Sequence, residues 1–286
     1  MKRRLVLRKI SALYAACLIP AFAALAHAQA RPASGERAAA LTFGETFTIN
    51  SRILGETRRI NVYFPPGHQE SAGTRLPVLY MPDGGMGEDF LHVAGLVQVS
   101  VGNGTMRPFL LVGIENTQRR RDLTGPTESE SDKKIAPRVG GSGAFRKFIR
   151  DELMPRIKGR YRTTDETAIV GESLAGLFVV ETLLLEPDLF DTYIAFDPSL
   201  WWNDQKPLGR AGELLRERPK TTKTLYLASS SEDREATQRF ADVLGKDAPP
   251  GLRWHYERMP DEKHSTIYHP AALKAFRAVF KPAADR

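Results

Sequence analysis

The sequence predicts an α/β fold: a mostly parallel central sheet with an antiparallel N-terminal strand pair and helices on both faces. Three observations carry this reading. From residue 167 onward, β-like runs and helical runs alternate four times, the order that parallel strands joined by crossover helices require. "LPVLYMP" (76–82) and "PFLLVGI" (108–114) are continuous apolar runs, as expected of strands buried on both faces. "ETFTINSRILGETRRINVYFPPG" (45–67) holds two runs of partial alternation, split by Gly55 and closed by Pro65-Pro66-Gly67, the pattern of an antiparallel pair.

The elements follow in order. "MKRRLVLRK" is a basic start, "ISALYAACLIPAFAALA" is apolar, and Ala26-His27-Ala28 puts small residues at the −3 and −1 positions of a cleavage site. This layout predicts a secretory signal peptide over 1–28, cut after Ala28, and hence a periplasmic or secreted protein. Residues 29–44 read as a flexible leader and 45–286 as one domain. After the strand pair come the buried run at 76–82, a helical stretch "GEDFLHVAGLVQVS" and the buried run at 108–114. Residues 116–142 are polar and rich in Gly and Pro, an irregular segment of a length that tends to serve function. "GAFRKFIRDELMPRIKGRY" returns to helical spacing, with Phe145, Phe148, Ile149 and Leu153 on one face, and Pro155 is expected to end or bend that helix. The four strand–helix repeats are "TAIVG"/"LAGLFVVETLLLEP", "TYIAFDP"/"GRAGELLRER", "KTLYLASSSED"/"REATQRFADVLG" and "LRWHYERM"/"PAALKAFRAVF".

Composition bounds the chemistry. The 286-residue chain is 42% hydrophobic and 26% charged, enough for a sizeable core. Its formal net charge is +7, but residues 1–28 carry five cations and no acid, so the mature chain falls to +2. No nucleic-acid footprint remains, and no membrane span after signal removal. The single cysteine, Cys17, leaves with the leader, which excludes disulfides, thiolate catalysis and cysteine metal sites from the mature chain. No zinc-binding or dinucleotide motif occurs, so neither metal nor organic cofactor is expected.

The stretch "TAIVGESLAGLF" (167–178) sets Ser173 between a strand run and a helix run, with Gly171, Ala175 and Gly176 around it. The Gly171/Gly176 spacing matches a phosphate loop, but Leu177 and Phe178 stand where Lys and Ser/Thr are needed. A nucleophile elbow fits: a sharp strand-to-helix turn needs small neighbours, and the helix start at Leu174 offers an N–H to an oxyanion. Serine needs a base, and the order Ser, acid, His is met downstream. "SSSED" offers Asp233, or Glu232 beside it. "DEKH" offers His264, just past the last strand, whereas His269 reads as a helix-start residue. Gly84 and Gly85 of "MPDGGMG" would let a second oxyanion N–H approach, or simply form an Asp-Gly turn.

The residues "SRILGETRRINVYFPPG", "LPVLYMPDGG", "VGIENTQRRRDLT", "VGESLAGLFVVETLLLEPDLFDTYIAFDPSLWWN" and "DEKHSTIYHPAALKAF" resemble one esterase branch of the α/β-hydrolase superfamily. That branch includes enterochelin (ferric siderophore) esterases, their periplasmic relatives and esterase-D-like enzymes. The resemblance spans about residues 45–280 and implies an α/β-hydrolase fold, Ser173 as nucleophile and His264 as base. The acid is a less direct carry-over, because "SSSED" lacks a glycine often present in that loop. "GESLAG" departs from the more usual His after the first Gly. Arg119, Arg121 and Asp122 match a basic-acidic patch of the branch, readable as a clamp on an anionic substrate or as a structural ion pair. Trp201 and Trp202 are readable as a pocket wall or as core. The expected activity is hydrolysis of a small-molecule carboxylic ester, siderophore-type or small acyl/aryl. An acyltransferase with the same residues, or a binding protein retaining the fold, are the alternatives.

Overall fold

The computed structural model describes residues 38–65, 73–232 and 234–282. The expected signal peptide (1–28), its cleavage site, residues 29–37 of the expected leader and Asp233 therefore lie outside the described residues. Phe43–Arg286 form one compact unit.

Strand β1 (Gly44–Ser51) and β2 (Glu56–Tyr63) form the expected antiparallel pair, with Gly44 opposite Tyr63. Gly55 turns between them at φ 67°, a left-handed conformation glycine adopts without penalty. Strand β3 (Leu76–Pro82) is buried throughout, followed by helix α1 (Phe90–Gly102) and strand β4 (Leu110–Ile114). The segment read as irregular contains two short helices, α2 (Arg119–Leu123) and α3 (Glu130–Ile135). Helix α4 (Ser142–Phe148) continues through a π turn (Ile149–Leu153) into α5 (Met154–Arg160). Pro155 therefore does not end this helix; the wider turn stands just ahead of the residue that lacks an N–H.

Strand β5 (Thr163–Glu172) leads into α6 (Leu174–Leu185), and β6 (Thr192–Phe196) is followed by α7 (Lys206–Arg216). Strand β7 (Thr224–Ser229), α8 (Arg234–Asp247), β8 (Arg253–Arg258) and α9 (Tyr268–Val279) complete the fold. The eight strands run β1-β2-β4-β3-β5-β6-β7-β8. Strands β2 and β4 also pair antiparallel, and β4-β3-β5-β6-β7-β8 is parallel. This is the mostly parallel sheet of an α/β-hydrolase fold.

Alternation along each strand splits the core in two. Val78 and Tyr80 of β3 join the cluster containing α4, α6, α7 and α8, and Leu79 and Met81 join the cluster containing α1 and α9. Helix α6 is apolar on nearly every side and buried accordingly: Leu177, Phe178, Val179 and Val180 are all at most 1% exposed. Each such side chain contributes roughly 1.5–3 kcal/mol of transfer free energy. That burial fixes where α6 begins, and so where Ser173 stands. Residues Asp83, Ser173, Asp197 and Ser230 all follow the carboxyl ends of parallel strands, the edge at which open α/β sheets place their sites.

Candidate active site

Ser173 occupies the turn from β5 to α6 with φ 61° and ψ −121°, a conformation non-glycine residues rarely adopt. Three main-chain bonds hold it there. Ser173 N–H donates to the Phe196 carbonyl (3.0 Å), and its own carbonyl accepts from Leu177 N–H (2.9 Å) and Ser199 N–H (3.0 Å). The small neighbours now have a steric reason. A Cβ on Gly171 would lie 2.7 Å from Ala175, and one on Gly176 would lie 3.0 Å from the Phe196 carbonyl oxygen.

His264 comes from the loop after β8. Its Nε2 lies 3.1 Å from Ser173 Oγ, and its Nδ1 lies 3.2 Å from Asp197 Oδ2. A carboxylate oxygen accepts, so in the neutral ring with its proton on Nδ1 facing Asp197, Nε2 can offer its lone pair to the serine hydroxyl. Asp197 is fully buried at φ 39° just past β6, and its second oxygen accepts the Ser230 N–H at 2.6 Å. The His264 side chain is 34% exposed, open to an incoming substrate. Its main chain is tied back by the Glu232 carboxylate, which accepts the His264 N–H at 2.9 Å.

Among the described residues, the carboxylate at His264 Nδ1 is Asp197, from the end of β6, one strand earlier than the sequence reading places it. Asp233 lies outside the described residues, and Glu232 holds the main chain of His264. The signal for Asp197 is an Asp-Pro directly after the strand "TYIAF", and nothing in the residue pattern sets it above the acids after the next strand.

Glu172 was also missed. Its Oε1 lies 3.3 Å from His264 Nε2, and burial pushes its carboxyl up to about 7, against the pull of His264 and Arg119. Next to it, Arg119 holds Asp83 with two bonds, Nε to Oδ1 at 2.7 Å and a terminal nitrogen to Oδ2 at 2.8 Å. Ser199 Oγ stands 3.4 Å from Ser173 Oγ. Among the described residues, no group of three or more His, Cys, Asp or Glu is arranged to hold a metal ion.

The family model described as "Putative esterase" matches residues 51–271, most of the chain and every residue of this site. The chain belongs to this esterase family. It is a carboxylic ester hydrolase. The esterase is 27% identical over 267 residues to the ferri-bacillibactin esterase BesA of Bacillus subtilis, covering 83% of this chain and 90% of that protein. It is 32% identical over 170 residues to the siderophore triacetylfusarinine C esterase of Aspergillus fumigatus, about half of each chain (52% and 53%). Among solved structures it is similar to an IroE-like serine hydrolase from Shewanella oneidensis, with 31% identity and a TM-score of 0.77. That match covers 85% of the esterase and 82% of the other chain.

Several expected site residues take other roles in the esterase. Gly84 N–H donates to the Ile114 carbonyl (3.0 Å) and Gly85 N–H to Glu88 (2.7 Å), so both are committed away from an oxyanion. Gly84 is instead a packing glycine: a Cβ there would lie 2.3 Å from Gly113. Leu174, as first residue of α6, keeps an N–H with no intrahelical partner, at the positive end of the helix. Arg121 binds Glu56 through two bonds (3.0 and 2.6 Å) and Asp122 through Nε (2.6 Å), so it belongs to a structural ion-pair network. Trp202 is 1% exposed and donates its indole N–H to the Gly125 carbonyl at 2.8 Å, which makes it core and an anchor for the long segment. Trp201 is 41% exposed on the surface beside it.

Proposed function

We propose that the chain is an exported serine esterase that cleaves siderophore-type esters through Ser173, His264 and Asp197. The observation that carries this reading is the unbroken line Ser173 Oγ–His264 Nε2 and His264 Nδ1–Asp197 Oδ2, at 3.1 and 3.2 Å. Ser173 Oγ attacks the ester carbonyl carbon while Nε2 takes its proton. Asp197 orients the ring and stabilises the imidazolium. The oxyanion that forms is met by Leu174 N–H at the start of α6. Nε2 returns the proton to the departing alkoxide, leaving an acyl-serine. Water then adds to the acyl carbon with Nε2 again taking the proton, and collapse releases the acid and restores Ser173.

Two findings support the substrate class. The relatives BesA and the triacetylfusarinine C esterase are named for siderophore esters. Beside Arg119, a groove of about 570 Å³ is lined by Arg119, Arg120, Arg121 and Arg138. Arg119 and Arg121 are neutralised by carboxylates, while Arg120 bonds the Ile135 carbonyl; among the described residues neither Arg120 nor Arg138 has a carboxylate partner. Such a groove favours an anionic ester over a neutral one. Export rests on the basic, apolar and Ala-His-Ala pattern of residues 1–28.

The test is an ester panel run on the mature protein, a ferric triscatecholate trilactone against p-nitrophenyl acetate. The account expects a higher kcat/KM for the anionic trilactone, a gap that narrows in 0.5 M salt. It expects Arg120→Ala with Arg138→Ala to lower that value and spare the acetate ester. Equal use of both esters at all salt concentrations would count against the substrate class. Mature protein recovered from the periplasm with Gln29 as its first residue is the result expected for export.

A further inference from the structure

Among the described residues, two oxygens stand within hydrogen-bond range of His264 Nε2. Ser173 Oγ stands at 3.1 Å and Glu172 Oε1 at 3.3 Å. The nitrogen has a single site for either a proton or a lone pair. When one proton lies between Nε2 and Glu172, as carboxylic acid and imidazole or as carboxylate and imidazolium, the lone pair is not available to Ser173. When that proton has left, the serine hydroxyl can donate to Nε2. We propose that Glu172 is a positioning residue that shares His264 Nε2 with the Ser173 hydroxyl and thereby sets the pH at which the base is freed. This rests on the reading of Ser173 and His264 as nucleophile and base.

The surroundings favour holding the shared proton. The Glu172 side chain is 15% exposed, and burial pushes its carboxyl up to about 7. Asp89 before α1 and Asp197 after β6 push it in the same direction, and His264 and Arg119 oppose. Arg119 is itself held by Asp83. On α9, the buried Tyr268 hydroxyl has no hydrogen-bond partner among the described residues, and its carboxylate neighbours Asp89, Asp83 and Glu172 help hold its proton in place. His92 on α1 contacts Asp89 at 3.2 Å, and the His269 ring on α9 lies beside it, with ring centroids 5.7 Å apart. With one proton shared between Glu172 and His264 in this proposal, the acid limb of activity is assigned to the pair and not to either residue.

The experiment compares kcat/KM for p-nitrophenyl acetate from pH 4.5 to 9 in wild type, Glu172→Gln, Glu172→Asp and His92→Gln. The rate of fluorophosphonate labelling is measured over the same range. Removing the carboxylate from beside an imidazolium lowers the apparent pKa of the acid limb by about one unit or more. Relative to its own plateau, Glu172→Gln should then be about tenfold more active than wild type well below the limb. Glu172→Asp, whose carboxylate is one methylene shorter, should fall between the two, and His92→Gln should keep the wild-type limb. The labelling rates should move with the ester rates. An unmoved limb in a folded Glu172→Gln protein, or a limb that follows His92→Gln instead, overturns the proposal. Ser173→Ala separates the two readings: retained turnover there refutes the nucleophile assignment itself, whatever Glu172 does.

Discussion

Asp197 and Asp233 are both carboxylates that follow a strand, and both lie between Ser173 and His264 in the chain. Chain order alone therefore cannot choose between them. Asp197 reaches His264 Nδ1 from a φ 39° turn just past β6, and β6 lies beside β5. Neither is visible as a residue pattern. Asp197→Asn should lower kcat by roughly 10⁴-fold, because it loses the tautomer and the imidazolium partner. Asp233→Asn, at the position the sequence reading favours, is the companion variant: a comparable loss of kcat there would contradict Asp197 as the acid. Steady-state kinetics of the two variants on p-nitrophenyl acetate decide the matter. Ser173 and His264 were legible because a nucleophile at an elbow constrains its neighbours in sequence. Glu172 is not legible in the pattern, because its contact with His264 joins residues 92 positions apart in the chain.

The elements were read from the sequence more fully than the contacts between them. Every strand and helix run of the second half appears, since periodicity is local. The roles of Gly84, Gly85 and Trp202 were not legible, since each depends on a partner from a distant segment. The elbow itself is an element-scale device. Gly171→Ala would set a Cβ 2.7 Å from Ala175, where backbone must move. Its expected cost is about 1–3 kcal/mol of stability, with a larger loss of activity as Ser173 shifts. Denaturant unfolding and ester kinetics on the same sample read both effects. Trp202 plays the matching part for the long polar segment. Its indole bond to Gly125 is joined by Asp132, which accepts from Thr127 and from the Asn203 N–H, both at 2.7 Å. Trp202→Phe removes one buried hydrogen bond, a loss of about 1–3 kcal/mol. Limited proteolysis of that variant should cut within residues 126–140 sooner than in wild type.

At the scale of the molecule, buried charge joins the antiparallel edge of the sheet to the active-site half. Arg58 on β2 and Asp122 on α2 are 0% and 1% exposed and bond each other. Glu56 and Arg121 complete the network. The Arg121 bond to Glu56 dominates in lowering that carboxyl from 4.5 to about 2, against desolvation and with help from Thr117. Its folded pKa lies below its unfolded one. The stability it contributes is therefore fully present above about pH 4.5 and lost as the pH falls through about 2. Glu56→Gln should lower Tm at pH 7, and the gap to wild type should close as the pH falls from 4.5 toward 2. A gap that widens with acid would contradict the assignment.

The central claim is that an ester is opened by Ser173 with His264 and Asp197 behind it. Peptide mass spectrometry after fluorophosphonate treatment of the mature protein tests it most directly. The account predicts a single adduct on Ser173, absent in Ser173→Ala and formed far more slowly in Asp197→Asn. An adduct on another residue, or ester turnover that survives Ser173→Ala, would contradict it.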